Sequence, residues 1–228
     1  MEKEEKLSFS DKLGKWILKN RVVLISILAT IFVAAVVGTI AFSLVSKNTE
    51  KKFADLYALT SEYNANAVDL ELSDEEKFAE SQAILADVLS IADANAKNGV
   101  GIRAYMLAAE IQFANKDYAN AAAAWEKAAN ANLKVYTAPL SFYNAAVCYE
   151  ELGNYDAAIA SLKKAIESDD FALKAKAIFN IGRLEETIGN YADAADAYND
   201  IVTNYPELEK FNLAKSRLIY LKEQGLLN

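Results

Sequence analysis

The side chains that most often carry out catalysis are scarce in this chain. It has no histidine and a single cysteine, Cys148, so a Ser-His-Asp triad, a His/Cys zinc cluster and an internal disulfide cannot be assembled. Cys148 stands in an apolar stretch, where we expect a small packing residue rather than a nucleophile. Paired carboxylates occur at Glu150–Glu151 and Glu185–Glu186, and we interpret them as solvated charges on helix surfaces. The sequence therefore predicts a protein that is not an enzyme, with no cofactor, no metal and no small-molecule substrate.

Charge is distributed unevenly along the 228 residues, which carry a formal net charge of −8. Residues 1–52 contain nine Lys/Arg and five Asp/Glu, a net of +4, and the remaining 176 residues therefore carry −12. A region this acidic repels the phosphate backbone of nucleic acids. We therefore expect no nucleic-acid partner.

The composition favours helices over strands. With Pro 2, Gly 8 and 53% hydrophobic residues, the chain lacks the frequent turns of a β-sandwich or barrel and is too apolar to be disordered as a whole. The expected fold class is all-α.

One apolar run, residues 22–46, contains no charged residue. At about 1.5 Å rise per residue, a helix of this length exceeds the roughly 30 Å hydrocarbon core of a bilayer. A buried soluble helix would show a polar stripe, and a cleaved signal peptide would have an apolar region of only about 7–15 residues. We therefore predict an uncleaved transmembrane helix over 22–46.

The basic residues around this run predict its orientation. Six of them precede it and only three follow it closely, and positive flanks stay in the cytoplasm. We therefore expect a cytoplasmic tail over 1–21 and export of residues 47–228, in bacteria to the periplasmic side of the inner membrane.

An internal repeat follows the apolar run. Three segments align without gaps, and their tyrosines, Tyr118, Tyr155 and Tyr191, lie 37 and 36 residues apart. Small or bulky apolar residues recur 3, 7 and 10 places after each tyrosine, which is one face of an α-helix. A second amphipathic stretch precedes each tyrosine, and Gly153 and Gly189 supply turns between the two, although the first unit has Lys116 there instead. Each unit is therefore predicted to be a helix, a short turn and a second helix.

This pattern resembles the tetratricopeptide repeat (TPR), with Gly-Asn-Tyr at the turn and Pro206 as the terminal proline of the last unit. The resemblance implies a TPR-type α-solenoid of three to four hairpins plus a capping helix. We assign a degenerate repeat to 50–97, repeats to 102–134, 139–170 and 175–206, and the capping helix to 207–224. A capping box at Ser73–Glu76 is expected to start the second helix of the degenerate repeat. Lys210, Lys215, Arg217 and Lys222 are expected on the solvated side of the capping helix.

The resemblance also implies a binding surface. In TPR proteins the first helix of each unit lines a groove that holds an extended peptide or a helix of a partner protein. The matching positions here are Arg103, Met106, Glu110 and Phe113 in the first clear unit, Tyr143, Asn144, Val147 and Glu151 in the second, and Lys176, Phe179, Asn180 and Arg183 in the third. The sequence leaves a second possibility equally open for Tyr143 and Phe179: the next repeat partly buries them, so that they do not contact a partner.

The layout as a whole is similar to the YfgM-like ancillary subunits of the SecYEG translocon, which implies binding of exported chains and a membrane-bound chaperone. Two other functions stay open. One is a structural subunit of an envelope machine for outer-membrane assembly, cell division or motility. The other is a regulatory anchor whose solenoid faces the cytoplasm.

Overall fold

A computed structural model describes residues 8–207 and 209–227, and within these residues the chain forms nine helices and no strand. The predicted all-α fold class is therefore confirmed. The chain divides into two units, Met1–Lys51 and Lys52–Asn228. The helices are α1 (Phe9–Val68), α2 (Asp74–Ala94), α3 (Gly99–Ala114), α4 (Tyr118–Ala131), α5 (Thr137–Glu151), α6 (Tyr155–Ile166), α7 (Lys174–Thr187), α8 (Tyr191–Asn204) and α9 (Glu209–Glu223).

Most of α1 belongs to the first unit and is strongly apolar. Its best 18-residue window has a mean hydropathy of 2.7 and none of that window is buried. Large side chains such as Ile31, Phe32 and Phe42 are more than half exposed. By length and composition, α1 can cross a membrane. The basic residues Lys3 and Lys6, which contribute to the predicted orientation, lie outside the described residues.

The second unit is a TPR-like solenoid of helical hairpins. Residues 52–68 of α1 pack with α2, and α3–α4, α5–α6 and α7–α8 form the later pairs, followed by α9. The three bulky residues predicted at equivalent positions, Trp125, Leu162 and Tyr198, are only 4%, 2% and 1% exposed. They fill the space beside small residues on the preceding helices. At Gly182 the approach is so close that a Cβ atom would lie 2.7 Å from the Tyr198 ring.

The three turns between paired helices share one backbone conformation. Lys116, Gly153 and Gly189 all have positive φ angles, of 61°, 69° and 86°. In each turn the next residue donates its backbone N–H to the carbonyl five positions back, at 2.8–2.9 Å. The first unit, which departs from the glycine pattern in sequence, therefore makes the same turn with a lysine, and Tyr118, Tyr155 and Tyr191 start equivalent helices.

Replacing Lys116 by glycine is expected to stabilise the second unit slightly. The left-handed conformation costs an L-residue roughly 1–2 kcal/mol, and glycine removes this cost. Glycine also loses more conformational entropy on folding, because its unfolded state is more flexible, and this offsets part of the stabilisation. We expect a net increase of about 0.5–1 kcal/mol in the free energy of unfolding, measured by urea denaturation. The matched Gly153→Ala variant should lose stability, and a stabilised Gly153→Ala would contradict the shared turn geometry.

Hydrogen bonds at the helix starts confirm one specific prediction. The Ser73 hydroxyl accepts from the Glu76 backbone N–H, and the Glu76 carboxylate accepts from the Ser73 N–H at 2.9 Å. These two bonds are the predicted capping box. The Ser73 backbone N–H and the Ser73 hydroxyl both donate to the Glu76 carboxylate, and they lower its pKa because both bonds favour the charged form.

The last helix, α9, differs from the expected capping helix in one respect. Ala214 and Leu221 are buried as predicted, but Arg217 does not belong to the solvated side, because it forms an ion pair with Glu186 of α7. Leu213, Ile219 and Tyr220 are instead 43–50% exposed. The ion pair between Arg217 and Glu186 therefore links α9 to the α7–α8 hairpin.

Candidate protein-binding surface

The first helices of the hairpins present the predicted site residues on one surface. We call it the first-helix face, formed by residues 52–68 of α1 and by α3, α5, α7 and α9. Its side chains differ in accessibility: Arg103, Glu110, Phe113, Glu151 and Lys176 are exposed, Met106, Asn144, Val147, Phe179, Asn180 and Arg183 are half-buried, and Tyr143 is buried.

Six of the predicted site residues line two neighbouring crevices that are accessible to a partner protein. Between α3 and α5 a cavity of about 290 Å³ is lined by Glu110, Phe113, Ala114, Trp125, Asn144 and Val147. Between α1 and α3 a cavity of about 300 Å³ is lined by Phe53, Leu56, Tyr57, Thr60, Arg103, Met106, Leu107 and Glu110. Both are mainly apolar, and Glu110 borders the two.

The boundary between α5 and α7 is closed by polar contacts. The Asn180 amide donates to the Tyr143 hydroxyl at 3.1 Å, and Arg183 Nη2 lies 2.6 Å from Glu150 Oε2. The Tyr143 ring packs against Phe171 and is only 7% exposed. Tyr143 therefore holds the repeats together and offers little surface to a partner, which is the second of the two possibilities left open by the sequence.

Glu186 makes the corresponding contacts between α7 and α9. Its Oε2 accepts from Arg217 Nε at 3.1 Å and from the Tyr198 hydroxyl at 3.0 Å, and Arg217 Nη2 contacts its Oε1. Burial first, and then the Glu186 hydrogen bond, raise the pKa of Tyr198, so the hydroxyl remains a donor.

These contacts correct the expectation that the paired carboxylates are solvated charges. Only Glu151 is exposed, since Glu150 and Glu186 form the interhelix ion pairs just described. Glu185 is 3% exposed and pairs with Lys163 at 3.2 Å and with the Asn190 amide at 3.0 Å. The sequence contained a signal for this structural role. Glu150 and Glu186 lie 36 residues apart, the same distance as Tyr155 and Tyr191, and so occupy equivalent positions in two repeats.

At the corresponding place between α3 and α5 the ion pair is replaced by apolar residues. Phe113 stands where the other units have Glu150 and Glu186, and Val147 stands where the next has Arg183. Both line the α3–α5 cavity. This substitution leaves the amino-terminal half of the first-helix face open and apolar. Ion pairs cross the other half, where a cavity of about 370 Å³ remains between α7 and α9, lined by Phe179, Arg183, Glu186, Thr187, Tyr198 and Arg217.

Two titratable groups outside these ion pairs have raised pKa values. Burial raises the pKa of the Cys148 thiol to about 12, and the side chain is fully buried, so the thiolate is scarce at neutral pH. Desolvation raises the pKa of Glu110, whose carboxylate has no ion-pair partner among the residues that the structure describes.

Known proteins share the repeat. Residues 138–209 match the tetratricopeptide repeat family. A TPR repeat-containing protein of Treponema pallidum (strain Nichols) is 32% identical over 148 residues, which are 64% of this chain and 62% of that relative. The matched segment thus spans less than two thirds of the relative's length. A crystal structure of MamA aligns over 70% of this chain and 88% of its own, with 15% identity and a TM-score of 0.48.

Residues 138–209 therefore carry tetratricopeptide repeats, and the helical hairpins of the second unit form a TPR-like solenoid. Proteins with these repeats generally act as non-enzymatic scaffolds that bind other proteins. The repeats therefore support the coarser part of the expected function, an interaction with other proteins or a scaffold role.

Proposed function

We propose that this protein is a membrane-anchored scaffold that binds a partner protein on its first-helix face. Residues 22–46 form the transmembrane helix, residues 1–21 lie in the cytoplasm, and residues 47–228 are the exported TPR domain, on the periplasmic side of a bacterial inner membrane. The observation that carries the proposal is the pair of open apolar crevices beside α3, because a closed solenoid would leave no place for a partner's side chains.

The accessible apolar residues there suit a protein ligand. Met106, Phe113 and Val147 offer apolar area, and the Asn144 amide can donate to and accept from a peptide backbone. Binding sites of this kind take an apolar side chain into the cavity and surround it with polar contacts. The residues that bind the partner in this proposal are therefore those that line the crevices, with Lys176, Phe179 and Glu151 at the margins.

Removing the apolar lining of the α3–α5 cavity should abolish partner capture. In a Phe113→Ser/Val147→Ser variant of the full chain, we expect the main copurifying protein to fall at least about tenfold, because truncating buried contact residues costs 2 kcal/mol or more. The measurement is affinity purification in mild detergent followed by quantitative mass spectrometry. A Leu133→Ser/Tyr136→Ser variant, which changes two exposed residues of the α4–α5 loop, is the control. Equal loss in both variants would argue against the first-helix face as the binding site.

The identity of the captured proteins separates the alternatives. Many exported chains together with a membrane-bound chaperone would support an ancillary translocon subunit. One stoichiometric partner would support a structural subunit of an envelope machine. Protection of residues 52–228 from protease added on the periplasmic side would place the solenoid in the cytoplasm and contradict the proposed orientation.

A further inference from the structure

Three cations form a row along one edge of the first-helix face. Arg103 lies near the start of α3, Lys176 near the start of α7 and Lys210 near the start of α9. Each lies over an aromatic ring of the preceding first helix: Arg103 over Phe53 at 5.4 Å, Lys176 over Tyr143 at 5.6 Å and Lys210 over Phe179 at 5.3 Å. The same contact thus recurs at three of the boundaries between first helices.

The charges of this row are not neutralised within the described part of the chain. No carboxylate there forms an ion pair with Arg103, Lys176 or Lys210, although Arg183 and Arg217 on the same face are both paired. This is unusual in a region that carries −12 over its 176 residues. Two acidic residues of the face for which the described residues show no ion pair, Glu110 and Glu151, lie near the other ends of α3 and α5.

The aromatic rings fix where these cations stand. A cation over a ring gains about 0.5–1 kcal/mol at an exposed site, which restricts a long side chain while leaving its charged group able to bind an anion. Neighbouring helices lie about 8–10 Å apart, so the row spans roughly 30 Å from α3 to α9. An extended segment of about ten residues covers that distance, at about 3.3 Å per residue.

We infer that this row binds side-chain carboxylates of an acidic segment of the partner protein, whose apolar residues enter the crevices beside α3. The inference rests on the proposed function of the first-helix face and adds the chemical class of the partner segment that this face binds. Several carboxylates spaced along a segment fit a row of cations carried by three helices. A long polyanion fits less well, because it has no apolar side chains to enter the crevices beside α3 and the acidic domain repels its many charges.

Synthetic peptides test the inference on the full chain in non-ionic detergent. The probe is an acetylated, amidated peptide of about ten residues that alternates glutamate with leucine and alanine, compared with the same peptide carrying glutamine. By fluorescence anisotropy we expect the glutamate peptide to bind about tenfold more tightly at low salt, since each of the three exposed ion pairs contributes a few tenths to 1 kcal/mol. The difference should shrink as salt is added.

Variants of the three cations test whether the row causes the preference for the glutamate peptide. Arg103→Gln/Lys176→Gln/Lys210→Gln should abolish the preference for glutamate, and the charge-keeping Arg103→Lys/Lys176→Arg/Lys210→Arg variant should retain it. Lys127→Gln/Lys164→Gln is the matched control, because these lysines of α4 and α6 also lie over rings, at 5.1 and 5.2 Å, but on the second helices. Equal binding of both peptides, loss in the control variant, or equally tight binding of heparin would overturn the inference.

The outcomes also distinguish this inference from the proposed function. If the glutamine variant of the row keeps its copurifying partner at every salt concentration while Phe113→Ser/Val147→Ser loses it, the face binds a partner but not through carboxylates. If neither variant loses the partner, the proposed binding face itself is wrong.

Discussion

A chain with Val33→Arg and Val37→Arg is expected to leave the membrane fraction. Both valines lie near the middle of the run 22–46 and are 59% exposed on α1. An arginine at the centre of a membrane-spanning helix costs about 2.5–3.5 kcal/mol for insertion, so two cost about 5–7 kcal/mol. Arginine is a good helix former, so α1 itself should persist. Carbonate extraction of isolated membranes followed by immunoblotting measures the partition.

The control for this experiment keeps the positions and removes the charge. A Val33→Leu/Val37→Leu chain should remain in the membrane pellet in the same amount as the native chain. If the arginine variant is extracted no more readily than the leucine variant, residues 22–46 do not anchor this protein. Circular dichroism of both purified variants should show equal helix content.

Replacing Tyr198 by alanine is expected to cost about 3–5 kcal/mol of the free energy of unfolding, the range for large-to-small changes of buried aromatic residues. The ring is 1% exposed, lies against Gly182 and is tilted against Phe179, with ring centroids 5.6 Å apart. Its hydroxyl also donates to Glu186, which joins α7 to α9. Loss of this side chain is therefore expected to weaken the packing of α7 on α8 and the attachment of α9 to this hairpin.

Tyr198→Phe distinguishes the contribution of the ring from that of the hydroxyl, because it keeps the ring and removes the hydroxyl. A hydrogen bond to a charged group contributes about 1.5–3 kcal/mol, so this variant should be less affected than Tyr198→Ala. The measurement is urea denaturation of the full chain in detergent, followed by circular dichroism at the helix band. Because repeats unfold partly independently, we expect the first transition to involve the carboxyl-terminal hairpins. An alanine variant as stable as the native chain would contradict the close packing of α7 on α8.

The periodic features of this fold could be predicted from the sequence, because each repeat uses the same local physics. Helix spacing assigned Trp125, Leu162 and Tyr198 to the core, and all three are buried. The capping box at Ser73 needs only residues within one turn of each other. Lys116 shows the limit of such reasoning: no local preference predicts a lysine with φ of 61°, and the turn is imposed by the packing of α3 on α4.

The interhelix contacts of the site could not be read in the same way. Spacing along a helix shows which face a residue occupies, but not which atom of a neighbouring helix lies opposite. Tyr143 was therefore a candidate contact for a partner, yet it lies beneath Asn180 and Lys176 of the next repeat. Glu150 and Arg183 are 33 residues apart in sequence, and only the stacking of α7 on α5 brings them to 2.6 Å.

Site-specific photo-crosslinking in intact cells tests most directly that the first-helix face holds a partner protein. A photoreactive residue at Phe113, in the α3–α5 cavity, is compared with one at Ala160, an exposed position of α6. We expect a discrete protein adduct from position 113 that disappears when Val147 is changed to serine, and none from position 160. Adducts of equal yield from both positions, or none from position 113, would contradict the proposed role.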